Sequence, residues 1–99
     1  MQATFYKGRD NANNIQLKDN GVVVDHTQIS RVILELNDGT KIDSNVNPTY
    51  FTLAQSTQFT IKLGATSLAA DGYTCRIIIY DPSHTSGIVW DTIPLTILD

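Results

Sequence analysis

The sequence predicts an all-β domain, an antiparallel β-sandwich of about seven or eight short strands, and three observations carry that prediction. First, 12 Thr, 11 Ile and 6 Val stand among 99 residues. Side chains branched at Cβ lose rotamer freedom on a helix and pack well on a pleated surface. Second, the good helix formers Glu and Met occur once each. Third, apolar residues alternate with a period of two in residues 32–36, 59–63 and 73–79, separated by Gly- and Asn-containing turns. An apolar fraction of 41% is enough for a small core, and the length leaves room for one domain, residues 1–99.

Along the chain, residues 3–18 are polar, with Gly8-Arg9-Asp10-Asn11 reading as a bend and residues 14–18 as a short alternating strand. Asp19-Asn20-Gly21 is a turn signal because Asn and Gly tolerate positive φ, and Val22-Val23-Val24 returns as the second arm of a hairpin. His26-Thr27-Gln28 reads as a loop or one helical turn. In residues 29–36, Val32, Leu34 and Leu36 alternate with Arg31, Ile33 and Glu35, the pattern of a half-buried strand. Asn37-Asp38-Gly39-Thr40 predicts a tight hairpin returning through Lys41-Ile42-Asp43, and Pro48 breaks pairing soon after. Residues 50–53 and 59–63 follow as strands; Phe59, Ile61 and Leu63 share a face, and Gly64 ends the second. The strongest strand spans residues 73–80, with Tyr73, Cys75, Ile77 and Ile79 on one face and Thr74, Arg76, Ile78 and Tyr80 on the other. A loop over residues 81–87 precedes Ile88-Val89-Trp90 and a last strand over 93–98. Pro94, unable to donate to a ladder, marks an edge or a strand start there.

Charge and composition exclude several classes. Seven basic against ten acidic residues give a net charge of −3. Nucleic acid and anionic membrane both call for a basic face, so neither is an expected partner. The single cysteine, Cys75, cannot form an intramolecular disulfide, so the fold is expected to stand without one. No stretch approaches the roughly 20 apolar residues of a membrane span. The start, Met1-Gln2-Ala3-Thr4-Phe5-Tyr6-Lys7, lacks a basic residue followed by an apolar run, so cytosolic synthesis without a signal peptide is expected.

The residues able to do chemistry are few and scattered. His26 and His84 lie in polar, turn-rich stretches and read as solvated loop residues rather than as bases or ligands. Asp19-Asn20-Gly21 and Asp38-Gly39 carry oxygens that suit calcium, but without a full ligand loop they read as hairpin turns. No metal or other cofactor is expected. Cys75 alternates with Tyr73 and Ile77, which turns it toward the core as a small, inert apolar residue. Gly64, Gly72 and Gly87 read as strand-end glycines, and no nucleophile elbow or phosphate-cradling loop is present, so no catalytic residue is assigned and the chain is read as a non-enzyme.

Two fragments carry a resemblance. Leu68-Ala69-Ala70-Asp71-Gly72-Tyr73-Thr74-Cys75 resembles the approach to the F strand of immunoglobulin-like domains, in which a tyrosine two residues before a cysteine forms a corner. That resemblance implies that the Tyr73 hydroxyl bonds to backbone in the 68–71 loop. More widely, Tyr6-Lys7-Gly8-Arg9-Asp10, Asn20-Gly21-Val22-Val23-Val24-Asp25 and Val32-Ile33-Leu34-Glu35-Leu36 resemble the immunoglobulin-like N-terminal domains of phage upper baseplate proteins. Asp71-Gly72-Tyr73, Ile77-Ile78-Ile79-Tyr80-Asp81, Gly87-Ile88-Val89-Trp90 and Pro94-Leu95-Thr96-Ile97 are similar to small proteins encoded among phage and prophage tail genes. The resemblance implies an immunoglobulin-like sandwich and a structural role, with phage tail or baseplate proteins or a second copy of the chain as partners. It also implies synthesis in the host cytoplasm and a final place in the virion. Ile33, Ile78 and Tyr80, opposite the core stripe, are the candidate partner contacts. The rival from another class is a carbohydrate-binding module that stacks host surface glycans on Tyr50 or Trp90, against the plainer reading in which Tyr73, Phe59 and Trp90 fill the core.

Overall fold

The computed structural model describes residues 2–99. Among them it contains ten β-strands and two single 3-10 turns, with no α-helix. In chain order the strands are β1 (Ala3–Tyr6), β2 (Asn13–Ile15), β3 (Lys18–Asp19), β4 (Val22–Val23), β5 (Arg31–Leu36), β6 (Lys41–Asp43), β7 (Phe51–Thr52), β8 (Phe59–Ile61), β9 (Asp71–Asp81) and β10 (His84–Leu98). Five of them form a sheet in the order β1-β10-β9-β5-β6, three form a second in the order β2-β8-β7, and β3-β4 is a separate ribbon. The sheets curl as a half-barrel about one core.

Strand β9 organises the large sheet. Its inward residues Cys75, Ile77 and Ile79 are buried, whereas Arg76 is exposed and Ile78 and Tyr80 are half-buried on the outer face. The same alternation runs through β5, where Val32, Leu34 and Leu36 are buried. The small sheet answers with Phe59 and Ile61 of β8 and Ile15 of β2, all fully buried. Each such side chain contributes about 1.5–3 kcal/mol on leaving water, so the paired stripes are the main source of stability.

The polar start of the chain hides a strand. Ala3 and Phe5 are buried while Tyr6 is exposed, and β1 pairs with residues 95–98 of β10 in parallel, so the large sheet is not purely antiparallel. The alternation in residues 14–18 divides instead of forming one strand: β2 pairs with β8, and β3 pairs with β4 across the Asn20-Gly21 turn. Both turn residues have positive φ, 50° and 79°, as a two-residue hairpin turn of matching twist requires. Tyr50 closes a 3-10 turn begun at Pro48, which leaves only Phe51–Thr52 as strand in that region.

The predicted loop over residues 81–87 is also absent. Asp81 pairs directly with His84 around a Pro82-Ser83 turn, and β10 continues without a break to Leu98. It does so by changing register between His84 and Ile88 and again between Val89 and Asp91, where Trp90 is the extra residue of a bulge. Ile88 pairs with inward Ile79 and Ile93 with inward Cys75, although the two have opposite parity in the sequence. One inserted residue reconciles them. Pro94 therefore lies inside β10, one residue before pairing with β1 begins at Leu95.

Gly64 does more than end a strand. A Cβ there would collide with the carbonyl oxygens of Arg9 and Tyr6, so its missing side chain lets the turn after β1 pack on the chain leaving β8. The Gly8 N–H donates to the Gly64 carbonyl at 2.7 Å across that contact.

His26 departs from its expected place in a solvated loop. It is fully buried rather than solvated. Its Nε2 accepts the Leu17 N–H at 3.0 Å, which leaves Nδ1 as the donor to the Val24 carbonyl at 2.8 Å. The ring thereby ties both arms leading into the β3-β4 hairpin, and Phe59 packs on it at 6.5 Å between ring centres. Replacing His26 by Leu keeps the volume but strands a buried N–H and a part-buried C=O. The expected loss is about 1–3 kcal/mol for each group left unpaired, read as a lower urea midpoint with an unchanged slope.

Candidate functional site

The outer face of the large sheet collects side chains that the sequence scatters over sixty residues. Register sets Ile33 of β5 opposite Ile78 of β9, and Ile78 opposite Val89 of β10. The three form one apolar strip across the sheet, with Ile33 and Ile78 half-buried and Val89 45% exposed. Ile33 and Ile78 were recognisable from alternation alone. Val89 was not, because its side is set by the irregularities of β10 around Gly87 and Trp90; the only local sign was Gly87 beside the apolar run Ile88-Val89-Trp90.

Tyr80, the third predicted contact, lies at the end of this strip under another residue. The Arg31 guanidinium carbon stands 4.9 Å from the centre of its ring. On the other side Gly87, at φ 82°, makes room for the ring; a Cβ there would lie 2.8 Å from Tyr80 Cζ. Arg31 also grips Asp43 on β6 in a two-pronged ion pair, Nε to Oδ1 at 3.0 Å and the terminal nitrogen to Oδ2. The guanidinium, with the Asn45 N–H, holds the Asp43 carboxyl below the usual carboxylate range.

Beyond the strip, at its other end, Glu35 of β5 meets Arg76 of β9 at 3.2 Å and Lys41 of β6 at 3.7 Å. These three, with Asn37, Thr74 and Thr92, line a groove of about 560 Å³. The outer face therefore reads from one end to the other as a closed ion pair, an apolar strip and an open charged groove.

The glycan candidates do not converge. Trp90 is half-buried and lies beside Ile15, Leu17 and Ile77 where the two sheets part. Tyr50 lines a different cleft with Arg9, Asp10 and Lys62. Phe51 is buried in the core. Tyr73, by contrast, donates its hydroxyl to the Ala69 carbonyl at 2.8 Å within the 68–71 loop, and burial together with the nearby Asp38 and Asp71 charges raises its pKa.

Of the groups with reactive potential, Cys75 is fully buried between Leu36 and Ile93, and desolvation pushes its thiol up to about 12. His84 stands on β10 rather than in a loop, with Nδ1 2.9 Å from Asp81 Oδ1, a carboxylate that also accepts the Ser83 N–H. The pair staples the hairpin turn. Among the described residues no three of His, Cys, Asp and Glu are placed to share a metal ion. Comparison with family models, curated proteins and solved structures gives no significant match in any of the three.

Two outcomes are expected from this geometry. Thiolate is the reactive form of cysteine, so Cys75 should resist a thiol reagent in native buffer and react fully in denaturant, followed by mass spectrometry. Asp43 has a lower pKa folded than its ordinary 3.8, so the folded state releases its proton more readily. The stability it lends is present above about pH 4 and is lost as pH falls through the folded value. Asp43→Asn should lower the unfolding free energy at neutral pH, and the gap between variant and parent should close below pH 4.

Proposed function

We propose that this chain is a non-enzymatic structural or assembly module of a phage or prophage tail or baseplate, acting through the outer face of its large sheet. The observation that carries the proposal is the continuous strip Ile33–Ile78–Val89, which ends at Val89, 45% exposed on the stretch of β10 that β1 does not reach. Apolar side chains gathered in this way gain by being covered, whereas single exposed ones need no explanation.

The strand order supports an immunoglobulin-like reading of the fold. Neighbours β10-β9-β5 and β2-β8-β7 correspond to the G-F-C and B-E-D neighbours of such domains, with β6 beside β5 as in the variable type. The Tyr73 hydroxyl bond and the spacing of Tyr73 and Cys75 at the start of β9 agree with an F-strand corner. The resemblance to baseplate and tail-region domains supplies the class of partner. Glycan binding has less support, because Tyr50 and Trp90 line separate clefts.

The test is co-elution of the purified chain with phage tail and baseplate proteins. Ile78→Glu and Val89→Glu should each abolish co-elution while the melting temperature of the Val89 variant stays within a few degrees of the parent. Glycan-induced shifts centred on Tyr50 or Trp90, with no tail protein retained, would overturn the assignment in favour of carbohydrate binding.

A further inference from the structure

At one end of the outer face two exposed cations share a single carboxylate. Glu35 is the sole acidic partner of both Arg76 and Lys41 among the described residues, and those cations remain 53% and 64% exposed. Arg76, Lys41 and Glu35 by themselves sum to +1 on a chain whose total charge is −3. Arg76 donates one hydrogen bond within the protein, to Glu35, from a guanidinium with five N–H donors. Asp38, in the turn at the end of the groove, has its carboxylate turned back onto the Thr40 N–H. The opposite end of the face differs, since Arg31 and Asp43 satisfy each other there.

The spacing is as informative as the charge. Arg76 and Ile78 are two residues apart on the same face of β9, and Glu35 and Ile33 repeat that offset on β5. Residues two apart on an extended chain lie about 6.6–6.8 Å from each other, so an extended segment laid along β9 can match both sites at once. Two exposed cations that share one carboxylate suit a further monoanion, and the planar guanidinium fork suits a carboxylate. A dianion would press its second charge against Glu35.

We propose that the groove receives the carboxylate of an acidic residue on a protein partner, with an aliphatic residue two positions along that extended segment covering Ile33, Ile78 and Val89. The inference rests on the docking-face reading above and names the chemistry of what docks there. A partner carboxylate competes with Glu35 for the two cations and completes their hydrogen bonding.

The probe is a pair of capped peptides, acetyl-Ser-Glu-Ser-Val-Ser-amide and its counterpart with Gln in place of Glu, titrated into the 15N-labelled protein. The Glu peptide should shift the amides of Lys41, Arg76, Ile78 and Val89 and bind about tenfold more tightly than the Gln peptide. Its affinity should fall with added salt. Glu35→Gln removes the internal competitor and should tighten binding, whereas Arg76→Gln should reduce it to the level of the Gln peptide. Equal binding of the two peptides, no shifts at these amides, or weaker binding by Glu35→Gln would each overturn the carboxylate site. Co-elution with tail proteins tests the docking face separately, so failure of the carboxylate site is distinguishable from failure of the docking face.

Discussion

Everything in the large sheet depends on the register of β9. Paired on both sides, by β10 and by β5, this strand has no freedom to slide independently. A slip by one residue would carry Cys75, Ile77 and Ile79 into solvent and bring Arg76 into the core, since strand side chains alternate with a period of two. The inward set is completely buried and the outward set includes an arginine in an ion pair, so one register satisfies both faces. That single choice fixes which residues of β5 and β10 meet across the sheet. The core stripe and the outer strip are two consequences of the same alternation.

Strand β10 shows how the fold reconciles local pattern with this requirement. Ile88 and Ile93 have opposite parity, so an unbroken ladder would put them on opposite faces of the sheet. The extra residue at Trp90 shifts the parity, and the missing side chain at Gly87 leaves room for the Tyr80 ring. A bulge also twists and bends the strand that carries it, which accords with the curl of the sheet and with the gap between sheets that Trp90 partly fills. The feature that disrupts the strand pattern in sequence is the one that places Val89 beside Ile78.

The polar groups divide by role according to where burial leaves them. His26 uses both ring nitrogens inside the protein, and no buried side-chain nitrogen or oxygen lacks a partner among the described residues. Such groups hold the chain together and have nothing left to offer a ligand. On the outer face Arg31 and Asp43 are likewise spent on one another. Arg76 and Lys41 are different, sharing one carboxylate while remaining half or more exposed. Exposed ion pairs contribute little to stability, so this corner of the face is free to serve recognition without cost to the fold.

The sequence by itself determined the all-β class, the inward faces of β5, β8 and β9, the Asn20-Gly21 and Asp38-Gly39 hairpins, and the adjacency-ready residues Ile33 and Ile78. These rest on local physics: β-branched composition, a two-residue period, and turn residues that accept positive φ. Tertiary structure decided the rest. Ala3 and Phe5 sit in a stretch too polar to declare a strand, and only the open edge of β10 gives β1 its parallel partner. His26 looks solvated because its neighbours are polar, yet two backbone groups, the Leu17 N–H and the Val24 carbonyl, hold its ring in the core. Residues 84–98 read as a loop and two strands because a bulge breaks the period that identifies a strand. Val89, Arg76 and Lys41 became one surface with Ile33 and Ile78 through pairings between distant segments, and pairing between distant segments is a property of the folded sheet that no local pattern encodes.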